Sequence, residues 1–205
     1  MRQAPTHVVF DLGGVLIDWN PRHLYRDLIP DEDEREAFLT EVVGQSWNRE
    51  QDSGRPIAEA NAWLIARHPD KRDLIEAYYG QFDCMMKDAI HGTVAVLEEL
   101  HAQGTPLYVL SNWSAETFHH AEARFAFLRL FDGLLISGRE GMRKTDPEIF
   151  RLLARRFDLA PERTLFIDDH APNIESALAL GFHGHHFGEP AALRRELVAL
   201  GLLPS

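Results

Sequence analysis

One cysteine, Cys84, is the only thiol in 205 residues. No disulfide can form within the chain, which excludes a disulfide-stapled scaffold and agrees with a reducing compartment. Long hydrophobic runs are also missing. No stretch approaches the roughly 18 consecutive apolar residues of a membrane span. The opening MRQAPTHVVFDLGG lacks the apolar core and small-residue cleavage site of a secretory signal. The expected location is therefore the cytoplasm, with no membrane partner. Positive charge is scarce: 21 Lys and Arg stand against 32 Asp and Glu, a net charge of −11. Such a field repels nucleic acid and anionic lipid, so nucleic acid is not an expected partner either. An anionic small molecule would need local positive charge, from a bound cation or a lysine. Internal repeats and low-complexity tracts are absent too.

What is present is an alternation of apolar runs and helix-like stretches. The segment from Thr6 to Ile17, THVVFDLGGVLI, reads as a buried strand that opens after Asp11 into a glycine-containing loop. TPLYVLSN, DGLLIS, RTLFIDD and the weaker GFHGHHF have the same form, an apolar run ending in polar residues. Between them, Thr93, Val96, Leu97 and Leu100 make one apolar helical stripe, and Ile149, Leu152, Leu153 and Phe157 another that starts after Pro147. Further helices are expected from Pro172 towards Gly181 and from Pro190 to Leu200. Strand and helix in alternation predict an α/β fold, a Rossmann-like parallel sheet covered on both faces. The length suits one core domain with a smaller insertion.

The insertion is visible as a break in that rhythm. From about Pro21 to Met86 there is no convincing strand, only amphipathic helices punctuated by Pro30, Gly44, Gly54, Pro56 and Pro69. The expected organisation is a core of residues 1–20 and 87–205 with a small helical cap at 21–86, inserted after the first strand. The DEDERE run from Asp31 to Glu36 reads as a solvated first helical turn, where acids suit the helix dipole.

In an open parallel sheet, ligands bind outside the carboxyl ends of the strands. Asp11, Ser111, Asn112, Asp168 and Asp169 all end apolar runs. A lone strand-terminal Asp is ordinarily a cap or turn residue. Several at one sheet edge would repel one another unless a cation sat between them, and oxygen-only donors suit magnesium.

The motifs now become specific. VVFDLGGVLID resembles the first motif of the haloacid dehalogenase-like superfamily, LYVLSN the second, GMRKTDPEIF the third and LFIDDHAPNI the fourth. Their order matches, the helical insertion falls where that superfamily commonly carries a cap, and the likeness spans nearly the whole chain. It is nearest to bacterial sugar-phosphate phosphatases of the glucose-1-phosphate type and to the phosphatase domain of bifunctional epoxide hydrolases. The resemblance implies a Mg2+-dependent phosphomonoester hydrolase acting on a small phosphorylated metabolite. In it Asp11 is the covalent nucleophile, and Ser111 and Asn112 hydrogen-bond the phosphoryl group. Lys144 orients Asp11 and offsets developing charge. Metal is held by Asp11, the Gly13 carbonyl and Asp169, with Asp168 acting through water and Asn173 buttressing the loop.

Two positions depart from the pattern. Gly13 stands where phosphatases of the superfamily usually carry a second aspartate as general acid and base. That loss predicts a preference for substrates whose leaving oxygen needs little protonation, such as aryl, acyl or anomeric sugar phosphates. Asp18 and His23 are the nearest substitutes in sequence. Thr145 replaces the proline that usually follows the lysine, a change of local rigidity.

Other residues invite weaker readings. His183, His185 and His186 lack carboxylate or cysteine companions at metal-site spacing and read as a polar edge strand. Cys84 reads as packed, and Trp47, Arg49 and Trp63 as helix-packing anchors or substrate-facing groups. Ser111 lacks the Gly-x-Ser-x-Gly elbow of a serine hydrolase. A haloacid dehalogenase, for which Gly13 is no handicap, and a ligand-binding member without turnover are the competing functions.

Overall fold

The computed structural model describes residues 3–204. The apolar runs form strands β1 (His7–Phe10), β2 (Ile17–Trp19), β3 (Met86–Ala89), β4 (Leu107–Ser111), β5 (Gly133–Ile136), β6 (Thr164–Asp168) and β7 (His183–His186). Five of them make one parallel sheet in the order β5-β4-β1-β6-β7. The chain leaves central β1 on one side through β4 and β5, then crosses to the other through β6 and β7. At such a reversal the flanking connections diverge and open a crevice at the carboxyl end of the central strand. Asp11 follows β1 directly, Ser111 ends β4 and Asp168 ends β6.

Side chains along these strands alternate between two covered faces. Val8, Phe10, Leu107, Val109, Leu165 and Ile167 join one apolar cluster, and Val9, Leu110 and Phe166 the other. All are almost fully buried, as expected when helices cover both faces of a parallel sheet.

The helices are α1 (Pro21–Leu28), α2 (Glu32–Ala37), α3 (Gln45–Gln51), α4 (Ile57–Ile65), α5 (Arg72–Gly80), α6 (His91–Ala102), α7 (Phe118–Arg124), α8 (Ser137–Glu140), α9 (Pro147–Phe157), α10 (Ala171–Ala179) and α11 (Pro190–Ala199). Their starts follow local chemistry. The Asn20 side chain accepts from Arg22 N ahead of Pro21, and the Asp146 side chain accepts from Glu148 N ahead of Pro147. Asp31 caps α2, whose acids occupy the first turn as the charge run suggested. Arg35 of that run is buried instead, donating to the Ile29 carbonyl at 3.1 Å.

Between Pro21 and Met85 the elements are all helical. Tyr25, Phe38, Trp47, Tyr78 and Phe82 belong to the same apolar cluster as one face of the sheet, so this segment is docked by continuous packing. We propose on that basis that residues 21–86 form the cap. Short β2 and β3, which flank the segment, pair antiparallel and tie its two ends together. Their pairing went unread in the sequence because each is three or four residues long and the partners lie about seventy positions apart.

Cys84 is exposed rather than packed. It sits on a short 3-10 turn whose Phe82 and Met85 take the interior positions, which leaves the thiol facing outwards. Among the described residues no helix is long and apolar enough to cross a membrane.

One tight contact fixes the loop that follows β4. A Cβ on Gly138, in α8, would lie 2.5 Å from Ala115 N and 2.7 Å from Trp113 O, both backbone atoms that no side-chain rotation can move. Gly138→Ala is expected to cost about 2 kcal/mol. A lower urea midpoint at unchanged slope would register it.

Candidate active site

Asp11 occupies the crevice with little exposure, 7%. Its Oδ1 accepts from the backbone N of Leu12 at 2.7 Å and from Ser111 Oγ at 2.8 Å, and its Oδ2 meets Lys144 Nζ at 2.5 Å. One oxygen is thus pinned by the ends of β1 and β4, and the other by a cation. Lys144 arrives on the loop between α8 and α9, its backbone N donating to Asn112 Oδ1 at 3.0 Å. That bond leaves the Asn112 amide NH2 free to donate into the cavity that Asn112 lines.

The Lys144 ammonium lies between two carboxylates, since its Nζ also donates to Asp168 Oδ2 at 2.6 Å. The side chain is 1% exposed, so Lys144 is a buried cation and not a surface lysine. Burial alone would lower its pKa, but Asp11 and Asp168 outweigh that and raise it. Asp168 is wholly buried. It accepts further bonds from His170 N at 2.8 Å and from Asn173 Nδ2 at 3.0 Å, so Asn173 does brace the loop. Asp169, next along the chain, is exposed. It lies over Gly14, where φ is +73° and a Cβ would fall 2.2 Å from Asp169 Oδ2, so only glycine leaves that carboxylate its place.

Oxygens of Asp11, Asp168 and Asp169 lie within 4.8 Å of one another. Burial, with help from Asp168 and Asp169 and against the pull of Lys144, pushes the Asp11 carboxyl up to about 7. Burial and Asp168 push Asp169 up as well.

The residues carried by the four motifs meet: Asp11, Gly13, Ser111, Asn112, Lys144, Asp168 and Asp169 border one crevice or hydrogen-bond within it. Asp18 and His23 do not. They bond each other at 2.9 Å and neither lines a cavity that contains Asp11. Of the three histidines of edge strand β7, His183 bonds the Glu162 carbonyl and His186 the Asp169 carbonyl, while the His185 Nε2 is buried without a hydrogen-bond partner among the described residues. Trp47 is a packing anchor whose Nε1 donates to the Ala60 carbonyl, while Trp63 is exposed beneath Arg67. Arg49 does face the crevice.

Asp52, just after α3, was missed by sequence reasoning. It lines both the crevice with Asp11 and an adjoining cavity bordered by Gly13, Trp19, Tyr79, Phe82 and Trp113. Its only sequence signal was an acid beside the Gly54 turn, and ordinary turns supply that signal everywhere.

A family model of haloacid dehalogenase-like hydrolases matches residues 5–181. The chain is 28% identical over 190 residues, 92% of its length and 93% of the relative's, to the sesquiterpene phosphatase astK of Aspergillus oryzae. It is 25% identical over 202 residues, 95% and 97% of the two chains, to a D-ribitol-5-phosphate phosphatase of Bacteroides thetaiotaomicron. In fold it is similar to a HAD family enzyme of Bacteroides thetaiotaomicron, solved as a complex with magnesium and inorganic phosphate. The TM-score is 0.69 at 22% identity, covering 90% of this chain and 94% of the other.

Removing the central cation tests the electrostatics of the cluster. Lys144→Met is expected to cost about 3 kcal/mol at pH 8, because two buried carboxylates lose their counter-charge. The penalty should shrink as pH falls below 7. With its folded pKa raised above the unfolded value, Asp11 stabilises the fold only while it holds its proton, and loses that contribution as pH rises. Urea midpoints at pH 5.5 and pH 8 provide the check, and an equal loss at both would contradict it.

Proposed function

The chain belongs to the haloacid dehalogenase-like hydrolase family, and from that premise we propose that it is a magnesium-dependent phosphatase of small phosphorylated metabolites, working through an aspartyl-phosphate on Asp11. The observation that carries this reading is the carboxylate cluster around Lys144. With all three carboxylates ionised, one ammonium leaves two negative charges uncompensated in a largely buried crevice, and burial together with that excess pushes the Asp11 and Asp169 carboxyls up. A divalent cation balances that charge, and an all-oxygen donor set with one exposed member suits magnesium, which keeps part of its water shell. Asp11, Asp169 and the Gly13 carbonyl would hold it. Asp168, with its oxygens already engaged by Lys144, His170 and Asn173, fits a role through water. When bound, the cation offsets the repulsion between a carboxylate and a phosphate dianion.

The chain's own residues supply the rest. Asp11 is held by the Leu12 amide and Ser111 at one oxygen and by Lys144 at the other, which fixes its direction of attack on phosphorus. Lys144 and the free amide NH2 of Asn112 offer donors to the phosphoryl oxygens, on which charge builds up during transfer. Ser111 can turn to those oxygens once Asp11 has formed its bond to phosphorus.

The organic part of the substrate falls to the cap side of the crevice. There Trp19, Tyr79, Phe82 and Trp113 offer apolar surface beside Asn48, Ser114 and Thr117. A compact group with both an apolar and a hydroxylated face, as in a sugar phosphate, suits such walls. Relatives named for a sesquiterpene and for ribitol phosphate agree with a common phosphate site under differing organic pockets. A dehalogenase or a binding-only protein draws no support from the uncompensated charge.

Asp11→Asn should leave a folded protein whose steady-state turnover of phosphate monoesters falls at least about 1,000-fold, since an amide is a poor nucleophile. Retention of a tenth of the rate would remove Asp11 from the covalent role.

Chelation should abolish turnover, and added magnesium restore it; full activity on a halo-acid in chelator would instead establish the dehalogenase. Because burial pushes the metal-free Asp11 carboxyl up to about 7, magnesium binding is expected to displace a proton below that pH. Affinity measured by titration calorimetry should weaken up to about tenfold per pH unit between 7 and 5.5, with proton release visible across buffers of different ionisation enthalpy. A constant affinity over that range would contradict the coupling.

A further inference from the structure

The glycine at position 13 removes the usual carrier of the leaving-group proton, and the structure shows what surrounds the gap. A Cβ built on Gly13 would meet nothing within 4 Å, so the space is open. The cavity that contains it is also lined by Asp52, which borders the crevice of Asp11, Lys144 and Asp169 as well.

Asp52 is held in place from both sides. Its backbone carbonyl accepts from Ser137 Oγ at 2.6 Å, docking the end of α3 onto the sheet domain. Its carboxylate accepts from Asn48 Nδ2 at 3.3 Å and from the backbone N–H of Ser114. Among the described residues it forms no direct ion pair. The charged and titratable groups around it are Lys144 and Arg143 from the loop before α9, Arg49 from α3, and Tyr78 and Tyr79 from α5, with Asp11, Asp169 and His170 bordering the same crevice. Arg143 is engaged by Glu50 at 3.7 Å.

We propose that Asp52 is the general acid and base of this enzyme, delivering from the cap the proton that residue 13 cannot. The inference rests on the phosphatase reading above. In the first step an Asp11 carboxylate oxygen bonds to phosphorus as the ester P–O bond breaks. The departing oxygen takes the proton of a neutral Asp52 carboxyl and leaves as an alcohol. In the second step the Asp52 carboxylate takes a proton from water as the water oxygen bonds to phosphorus. The P–O bond to Asp11 breaks, which frees inorganic phosphate and returns both carboxyls to their starting forms. The environment suits a group that must hold and then release a proton near neutrality. Burial pushes Asp52 up to about 7, with Lys144, Arg143 and Arg49 pulling the other way.

This changes the substrate expectation drawn from Gly13 alone, because alkyl phosphates become as accessible as those with stable leaving groups. Asp18 and His23, paired with each other outside the crevice, are not needed.

The test is single-turnover phosphorylation of the magnesium-loaded protein by monoesters graded from p-nitrophenyl phosphate to simple alkyl phosphates. Asp52→Asn is compared with the wild type. The wild type should show a shallow dependence on leaving-group pKa. The variant should phosphorylate at close to the wild-type rate with p-nitrophenyl phosphate, which also proves it folded, and lose about 100-fold or more with alkyl phosphates. The wild-type fall in alkyl-phosphate rate above neutral pH, where Asp52 loses its proton, should vanish in the variant. An unchanged leaving-group dependence would overturn the proposal. So would an equal loss on both substrate types, since that is the signature of a structural role. If the wild type turns over no monoester at all, the phosphatase reading itself fails, and that is seen before the variant is made.

Discussion

A lysine ammonium buried between two carboxylates is the constraint on which the rest of this molecule depends. Taking Lys144 out of water is costly, and only the short contacts to Asp11 and Asp168 make its burial tolerable. Those contacts dictate where three separate pieces of chain must end. Central β1 must deliver Asp11, β6 must deliver Asp168, and the loop before α9 must bring the lysine across the carboxyl edge of the sheet. Asn112, beyond β4, grips the lysine backbone and Asn173 grips Asp168, so neighbouring elements are drawn into the same arrangement. The sheet order makes this affordable in geometry, because the reversal at β1 leaves an open crevice where those ends converge.

The arrangement separates two tasks. The sheet edge holds a charge-dense, oxygen-rich site whose character is indifferent to the organic part of a substrate. The helical segment adds Tyr79 and Phe82 to an aromatic wall completed by Trp19 and Trp113, and brings Asp52 into the cavity that Gly13 lines. Proton delivery on this reading has moved from the loop after β1 to the segment that covers it. On that reading the proton carrier is presented only when the helical segment is docked, a position held by the bond from Ser137 to the Asp52 carbonyl. Chemistry and closure are thereby coupled more tightly than when the acid sits beside the nucleophile.

Much of the architecture was legible in the chain because its signals are local. Apolar runs ending in polar residues marked the five parallel strands, and prolines such as Pro147 and Pro190 marked helix starts. Asp11, Ser111, Asn112, Lys144, Asp168 and Asp169 were recognisable because each sits at a strand end or within a motif. The antiparallel pairing of β2 with β3 was not legible, since its partners are distant and too short to carry a pattern. Cys84 was misread as packed because the sequence cannot say which side of a short 3-10 turn faces inwards.

By itself the sequence determined the fold class, the helical character of the segment from Pro21 to Met85 and which residues border the crevice, because strand runs, helix stripes and motif spacing are written in consecutive positions. Only the tertiary structure decided how those residues share their charges. Lys144 is clamped between two carboxylates, Asp168 is buried, Asp169 is exposed over Gly14, and Asp18 and His23 are turned to each other. It also decided that Asp52, forty-one positions after Asp11, borders the same crevice. Burial and through-space distance set these relations, and both come from packing between segments whose separation along the chain says nothing about their separation in space.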